Sequence, residues 1–173
     1  MEVLVVRHAI ALDKAEAQRV GMPDSERPLT PEGRERMKEV ARGLAQRVPD
    51  ISAIFTSPWL RAVETAELLR KRYSDIGWMH NEALLPGTEP SVLASALSQH
   101  GYEGVLAVVG HEPHLSGWVS WCLTGDTRPI LELRKGGACL LRFPTDVVVP
   151  AQAQLLWLMT PGIARKLEAR SST

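Results

Sequence analysis

Three short stretches of this chain are apolar almost without a break: EVLVV at 2–6, ISAIFT at 51–56 and GVLAVVG at 104–110. A strand with one wet face alternates apolar and polar residues, so a run that does not alternate must be covered on both faces. Such strands belong to mostly parallel sheets, and parallel neighbours need connections long enough to hold a helix.

Helical signals fall in those connections. Thr30–Pro31 opens a helix, with Thr30 as N-cap and Pro31 at the first helical position, where a missing N–H costs nothing. Met37, Val40, Ala41, Leu44 and Val48 follow at helical spacing and form its buried stripe, and Pro49 stops it. Ser57–Pro58 repeats the device and predicts a helix to about Arg72. Residues 77–87 leave room for a minor strand, Pro90 to His100 reads as a third helix, and Pro113 to Leu123 as a fourth. Apolar segments at 138–143 and 153–159 complete the sheet, and a polar tail covers about 165–173. Between Ala11 and Pro28 no period is sustained, which reads as a long ordered loop. The expected fold is α/β: a three-layer α/β/α sandwich with a mostly parallel central sheet, one domain over residues 1–173.

Charge narrows the function classes. Lys plus Arg is 20 and Asp plus Glu is 20, so no bulk charge points to nucleic acid or a membrane surface, and any anion site must be local. No apolar run approaches the roughly 20 residues of a spanning helix, and the N-terminus has no basic leader. Cys122 and Cys139 make no framework and read as reduced packing residues, which places the protein in the cytoplasm.

Ligands of open α/β sheets bind beyond the carboxyl ends of the strands. Past the first strand stand Arg7 and His8, past the second Ser57–Pro58 with Arg61 one turn on, and past the third His111. Arg61 in the first turn of a helix opposes the macrodipole at roughly 0.3–1 kcal/mol, whereas a phosphate at that helix end would attract both. The plainer alternative pairs Arg61 with Glu64 on the surface. His80 and His100 follow no strong buried strand and read as structural, while His114 stands one turn after His111 and could line the same cleft. No metal is expected, because the histidines of HEPH are three apart rather than four and two arginines repel a dication. Neither a P-loop nor a G-x-S-x-G elbow is present. Two arginines and two histidines suit phosphoryl transfer: a neutral imidazole attacks phosphorus while positive donors hold the equatorial oxygens. In that reading His8 attacks, and Arg7, Arg61 and His111 form the phosphate-binding cradle.

These residues carry a resemblance. VRHA, TSPWLRAVETA and VVGHEPHLS resemble the motifs of the histidine phosphatase (phosphoglycerate mutase-like) superfamily, and ERPLTPEGRERM and RKGGACLLRF are similar to its small SixA-type phosphohistidine phosphatase branch. The resemblance runs from Val3 to about Thr160. It implies His8 as phosphoacceptor, Arg7, Arg61 and His111 on the phosphoryl oxygens, and no metal or organic cofactor. Ala9 stands where the superfamily usually has Gly. Larger members carry a general-acid carboxylate in the segment matching ALLPGTEP, where this chain has Pro86 and Gly87 with Glu82 and Glu89 nearby. An alkoxide needs that acid, worth typically 10²–10⁴-fold, whereas a protonated imidazole leaves without it. The expected partner is therefore a protein bearing phosphohistidine, and the alternative a small phosphate ester cleaved with help from Glu82 or Glu89. A non-enzymatic phospho-binding adaptor is a third reading, disfavoured by the complete quartet. A backbone carbonyl is expected to hold Nδ1–H of His8 and leave Nε2 to attack. Trp118 and Trp121 read as core, Trp59 as a partner contact or as packing, and Lys135 has no role assigned.

Overall fold

Val3, Leu4, Val5 and Val6 are wholly buried in β1 (Glu2–Arg7), which explains why the run does not alternate. The computed structural model describes residues 1–73, 76–99, 101 and 104–169. β1 lies between β4 (Val105–Gly110), which it pairs in parallel, and β5 (Ala138–Arg142), which runs antiparallel to it. β2 (Ala53–Thr56) joins β4 in parallel, β3 (Gly77–His80) joins β2 in parallel, and β6 (Gln154–Met159) pairs β5 antiparallel. The six strands run in the order β3-β2-β4-β1-β5-β6. The sheet is mostly parallel, with its antiparallel pairs gathered on one side.

Alternate residues of the strands serve two cores. Leu4, Val6, Ile54, Val109 and Leu140 face α2 (Pro31–Arg47), α3 (Leu60–Arg70) and α6 (Pro161–Ala169). Val3, Val5, Phe55, Val108 and Leu141 face α4 (Pro90–Ser98) and α5 (His114–Thr124). Each fully buried Val, Leu or Phe contributes about 1.5–3 kcal/mol, so neither face can be left uncovered. Three layers result, as the apolar runs required.

Thr30 caps α2 by accepting a hydrogen bond from the Gly33 N–H at 2.9 Å, and all five residues of the expected stripe are buried. Two glycines let α2 settle closely. A Cβ at Gly33 would lie 2.0 Å from the Ile10 carbonyl oxygen, and one at Gly43 would lie 1.9 Å from that of Ala164. Any side chain at either position would force the helix off its neighbour.

Three local expectations need correction. Ser57–Pro58 does not begin α3, which starts at Leu60 with Trp59 as an N-cap that makes no side-chain bond. The segment 11–28 is not all loop: it holds α1 (Lys14–Arg19), capped by Asp13 on the Ala15 and Glu16 N–H groups, and a 3-10 turn at Asp24–Glu26. Part of the polar tail is helical, since α6 extends to Ala169 against α2; residues 170–173 lie outside the described set, as does His100. Cys122 and Cys139 are buried and unbridged. No helix among the described residues is long and apolar enough to cross a membrane.

Candidate active site

Because β2, β4 and β1 are adjacent and parallel, their carboxyl ends meet on one edge. The residues just past them are Ser57, His111 and His8. The backbone fixes them and Arg7 beside them: His8 N–H donates to the Gly110 carbonyl at 3.0 Å, Ser57 N–H to that of Val109 at 2.9 Å, the His111 carbonyl accepts from the Leu115 N–H at 2.9 Å, and Arg7 N–H donates to the Gly137 carbonyl at 3.0 Å. The quartet expected from the sequence therefore assembles.

His8 is 6% exposed, and its Nδ1 lies 2.7 Å from the Ala9 carbonyl. A carbonyl only accepts, so the ring proton sits on Nδ1 and Nε2 keeps a lone pair. That lone pair accepts from Arg61 Nε at 3.3 Å. Burial drives the His8 pKa down to about 3 against the raising effect of the Ala9 carbonyl, helped by the charges of Arg61, Arg7 and Lys135. Burial also pulls His111 far below the usual range, with His8 and Arg61 adding to the effect. Both imidazoles are neutral at pH 7. Ala9, in the place of the usual glycine, is absent from the positive-φ residues, so its methyl group is accommodated without backbone strain.

Arg61 is held on every side. Its Nη1 donates to the Asp24 carbonyl at 2.6 Å, its Nη2 to Asp24 Oδ2 at 3.2 Å, and its guanidinium lies 4.5 Å from the Trp59 ring centroid. Glu64, the surface partner of the plainer alternative, is elsewhere, paired with Arg34 and accepting from the Leu29 N–H. Asp24 also takes Arg27 Nε at 2.7 Å; burial raises its pKa, but the two arginines outweigh burial and hold the carboxyl below its ordinary value. Thr65 braces the arrangement, accepting from the Ala9 N–H at 3.0 Å and donating to the Arg61 carbonyl at 2.7 Å.

Arg7 stands across the cluster with fewer partners. Its Nη1 donates to the Leu133 carbonyl at 2.6 Å, and its Nε is buried with no partner among the described residues. His111 Nε2 lies 2.8 Å from Ser57 Oγ, its Nδ1 has no partner among the described residues, and the Trp59 ring meets it edge-on with centroids 4.9 Å apart. Trp59 therefore packs against both Arg61 and His111. The rings of His8 and His111 are 5.2 Å apart between centroids.

Of the other candidates, His114 is buried at the head of α5, its ring nitrogens without a good hydrogen bond, near enough for its charge to act on His111. His80 is exposed on the edge strand β3 against Trp78. Glu82 and Glu89 are exposed, and their side chains make no hydrogen bond or ion pair among the described residues. Trp118 is fully buried and Trp121 partly so. No group of three or more His, Cys, Asp or Glu among the described residues could hold a metal.

Sequence reasoning missed Ser57 as a partner of His111, and Asp24. Asp24 left no signal, because only the folded loop brings it to Arg61. The profile of the histidine phosphatase superfamily (branch 1) matches residues 3–84, from the strand before His8 through α3 with Arg61. This chain belongs to the histidine phosphatase superfamily.

The chain is also similar to one curated protein and, in fold, to solved structures. An uncharacterised protein of Picosynechococcus sp. is 34% identical over 144 residues, 82% of this chain and 85% of that protein. Among solved structures, the protein histidine phosphatase SixA complexed with tungstate superposes with a TM-score of 0.77 at 23% identity, covering 94% of this chain and 99% of that one. A mycobacterial glucosyl-3-phosphoglycerate phosphatase gives 0.68 at 14% identity, covering 92% and 99%. Phosphoglycerate mutase from Plasmodium falciparum gives 0.63 at 16%, covering 90% and 88%. At these identities the structures show a shared fold.

Proposed function

We propose that this histidine phosphatase removes the phosphoryl group from a phosphohistidine on a signalling or carrier protein, without a metal, through a phosphohistidine formed on His8. The Nε2 lone pair attacks phosphorus in line, the P–N bond to the substrate imidazole breaks, and its electron pair returns to that ring, which already carries a proton on its other nitrogen and leaves as neutral imidazole. Arg7, Arg61 and His111 hold the phosphoryl oxygens as charge spreads over them. Water then attacks phosphorus, the bond to Nε2 breaks, and inorganic phosphate departs.

One observation carries this choice of substrate: among the described residues, the one carboxylate bonded to the quartet is Asp24, which is in no state to protonate a leaving oxygen. Glu82 and Glu89 are exposed and unattached, and Asp24, the carboxylate beside Arg61, is kept ionised by two arginines. A leaving imidazole does not need such an acid, and the exchange of one N–P bond for another is nearly balanced. The likeness to SixA, named a protein histidine phosphatase, supports the same reading.

A broad phosphomonoesterase is the second reading, and the fold it shares with a glucosyl-3-phosphoglycerate phosphatase favours it. Turnover of a His-phosphorylated protein domain and of p-nitrophenyl phosphate, both with EDTA and with His8→Ala as control, decides between them. A strong preference for the protein, abolished in His8→Ala, is expected. Efficient ester hydrolysis that falls in Glu82→Gln or Glu89→Gln, with an inert phosphoprotein, would transfer the chain to the second class.

A further inference from the structure

On the far side of Arg7 lies a cleft of about 420 Å³ that the proposed reaction does not use. It opens between the first turns of α2 and α6 and the turn leading into β5, over a floor of Ile10, Met37 and Val40. His8, Arg61 and His111 do not line it, but Arg7 and Ala9 do. Its volume falls in the range of small-molecule sites, which are concave and mostly apolar with a few polar groups converging on them.

The charge around it is one-sided. Arg36 and Arg165 at the rim are neutralised by Glu32 and Glu39. Arg134 and Lys135 are exposed, and their side chains have no ion-pair or hydrogen-bond partner among the described residues. Arg7 lines it as well, with no ion-pair partner among the described residues, and Glu132 is the one acid of the lining. In a chain of zero net charge, three unneutralised cations gathered round an apolar floor form a local field that an anion relieves. The backbone holds the group in place. The Gly136 N–H donates to the Arg7 and His8 carbonyls, at 3.2 and 3.1 Å, with Gly136 at φ +75°.

We propose that this cleft is a second anion site, taking a small organic anion with an apolar body, such as an aromatic carboxylate, sulfonate or phosphate. Its head meets Arg134, Lys135 and Arg7, and its body covers Met37 and Val40. Because Arg7 borders both this cleft and the phosphate cradle, the two anions weaken each other by the same bounded factor.

8-Anilinonaphthalene-1-sulfonate has this chemistry, and its fluorescence rises in apolar surroundings, so it reports occupancy without activity. The full chain is titrated with the dye at several concentrations of inorganic phosphate. Wild type is compared with the double variant Arg134→Ala/Lys135→Ala and with Gly162→Leu, where a Cβ meets nothing closer than Thr160 Oγ1 at 3.9 Å at the cleft wall. The expected result is one saturable site per chain, weakened at least tenfold in both variants, with a dissociation constant that rises with phosphate and then levels off. Thermal unfolding of each variant confirms that it is folded, and changing two separate walls keeps the test from resting on one of them. Absence of saturable binding to wild type, equal binding by both folded variants, or displacement by phosphate without a plateau would each overturn the proposal. The last would put the dye in the cradle itself.

Discussion

The two arginines beside His8 stand in opposite surroundings. Arg61 meets an imidazole lone pair, a carbonyl, a carboxylate and an indole face, so its charge is already answered within the protein. Among the described residues Arg7 meets one carbonyl, leaves Nε without a partner, and has unpaired Arg134 and Lys135 nearby. One wall of the site is built and neutralised; the other is built and left positive. In the proposed reaction the first wall fixes where phosphorus must sit relative to Nε2, and the second supplies most of the attraction that brings it there.

The largest effect expected from this difference comes from removing the built wall. Arg61→Ala should lower kcat/KM for a phosphate substrate by about 10²–10³-fold, mostly in kcat, since it loses a transition-state donor and the group that faces Nε2. Arg7→Ala should act more on KM. If steady-state kinetics show the same kcat-to-KM split for both variants, the comparison fails.

Next comes acid stability. The pKa of His8 falls from 6.5 to about 3 on folding, and that of His111 falls further. Below pH 6.5 the unfolded chain therefore binds protons that the native chain refuses. Stability is unaffected by these groups above about pH 6.5 and declines as pH falls toward 3, by up to about 1.4 kcal/mol per pH unit for each proton. Urea unfolding from pH 7 to 4 should show this slope, and a folded His8→Gln should show a shallower one. An unchanged slope would mean that His8 is not buried neutral.

Smaller effects belong to the supports. Asp24→Asn unmasks Arg61, so KM should fall roughly three- to tenfold, with a melting temperature lower by a few degrees because a partly buried cation loses its counter-charge. A rise in KM would show that Asp24 orients Arg61 rather than competing with the substrate for it. Ser57→Ala removes one hydrogen bond from His111 and should cost about two- to tenfold in kcat. No change would reduce Ser57 to a loop residue.

The sheet was readable because its signals are local. Val3 to Val6 and Val105 to Gly110 state their burial on both faces, and the rule that ligands gather past strand ends then brings Arg7, His8, Arg61 and His111 together. The start of α1 was legible too: Asp13 followed three residues later by Glu16 is a cap signal that the lack of apolar periodicity masked. Thr160–Pro161 repeats Thr30–Pro31 and opens α6 with the same device, yet a polar sequence hid the helix. The contacts of Asp24 with Arg61, and of Ser57 with His111, were not legible. Each joins residues 37 and 54 positions apart through the finished fold, and no pattern along the chain encodes either.

The hydrogen bonds that hold Arg7 and His8 reach to Gly110, Gly136 and Gly137. β1 precedes the other five strands of the sheet in sequence, yet both its neighbours, β4 and β5, lie about a hundred residues or more further on. A growing polypeptide thus carries His8 for more than a hundred residues before anything can seat it. Contacts of such long sequence separation place folding among the slower topologies. They also delay the chemistry: a chain that stops short of Gly137 lacks the partners that seat Arg7 and His8, and the nucleophile is held only once that stretch has been made.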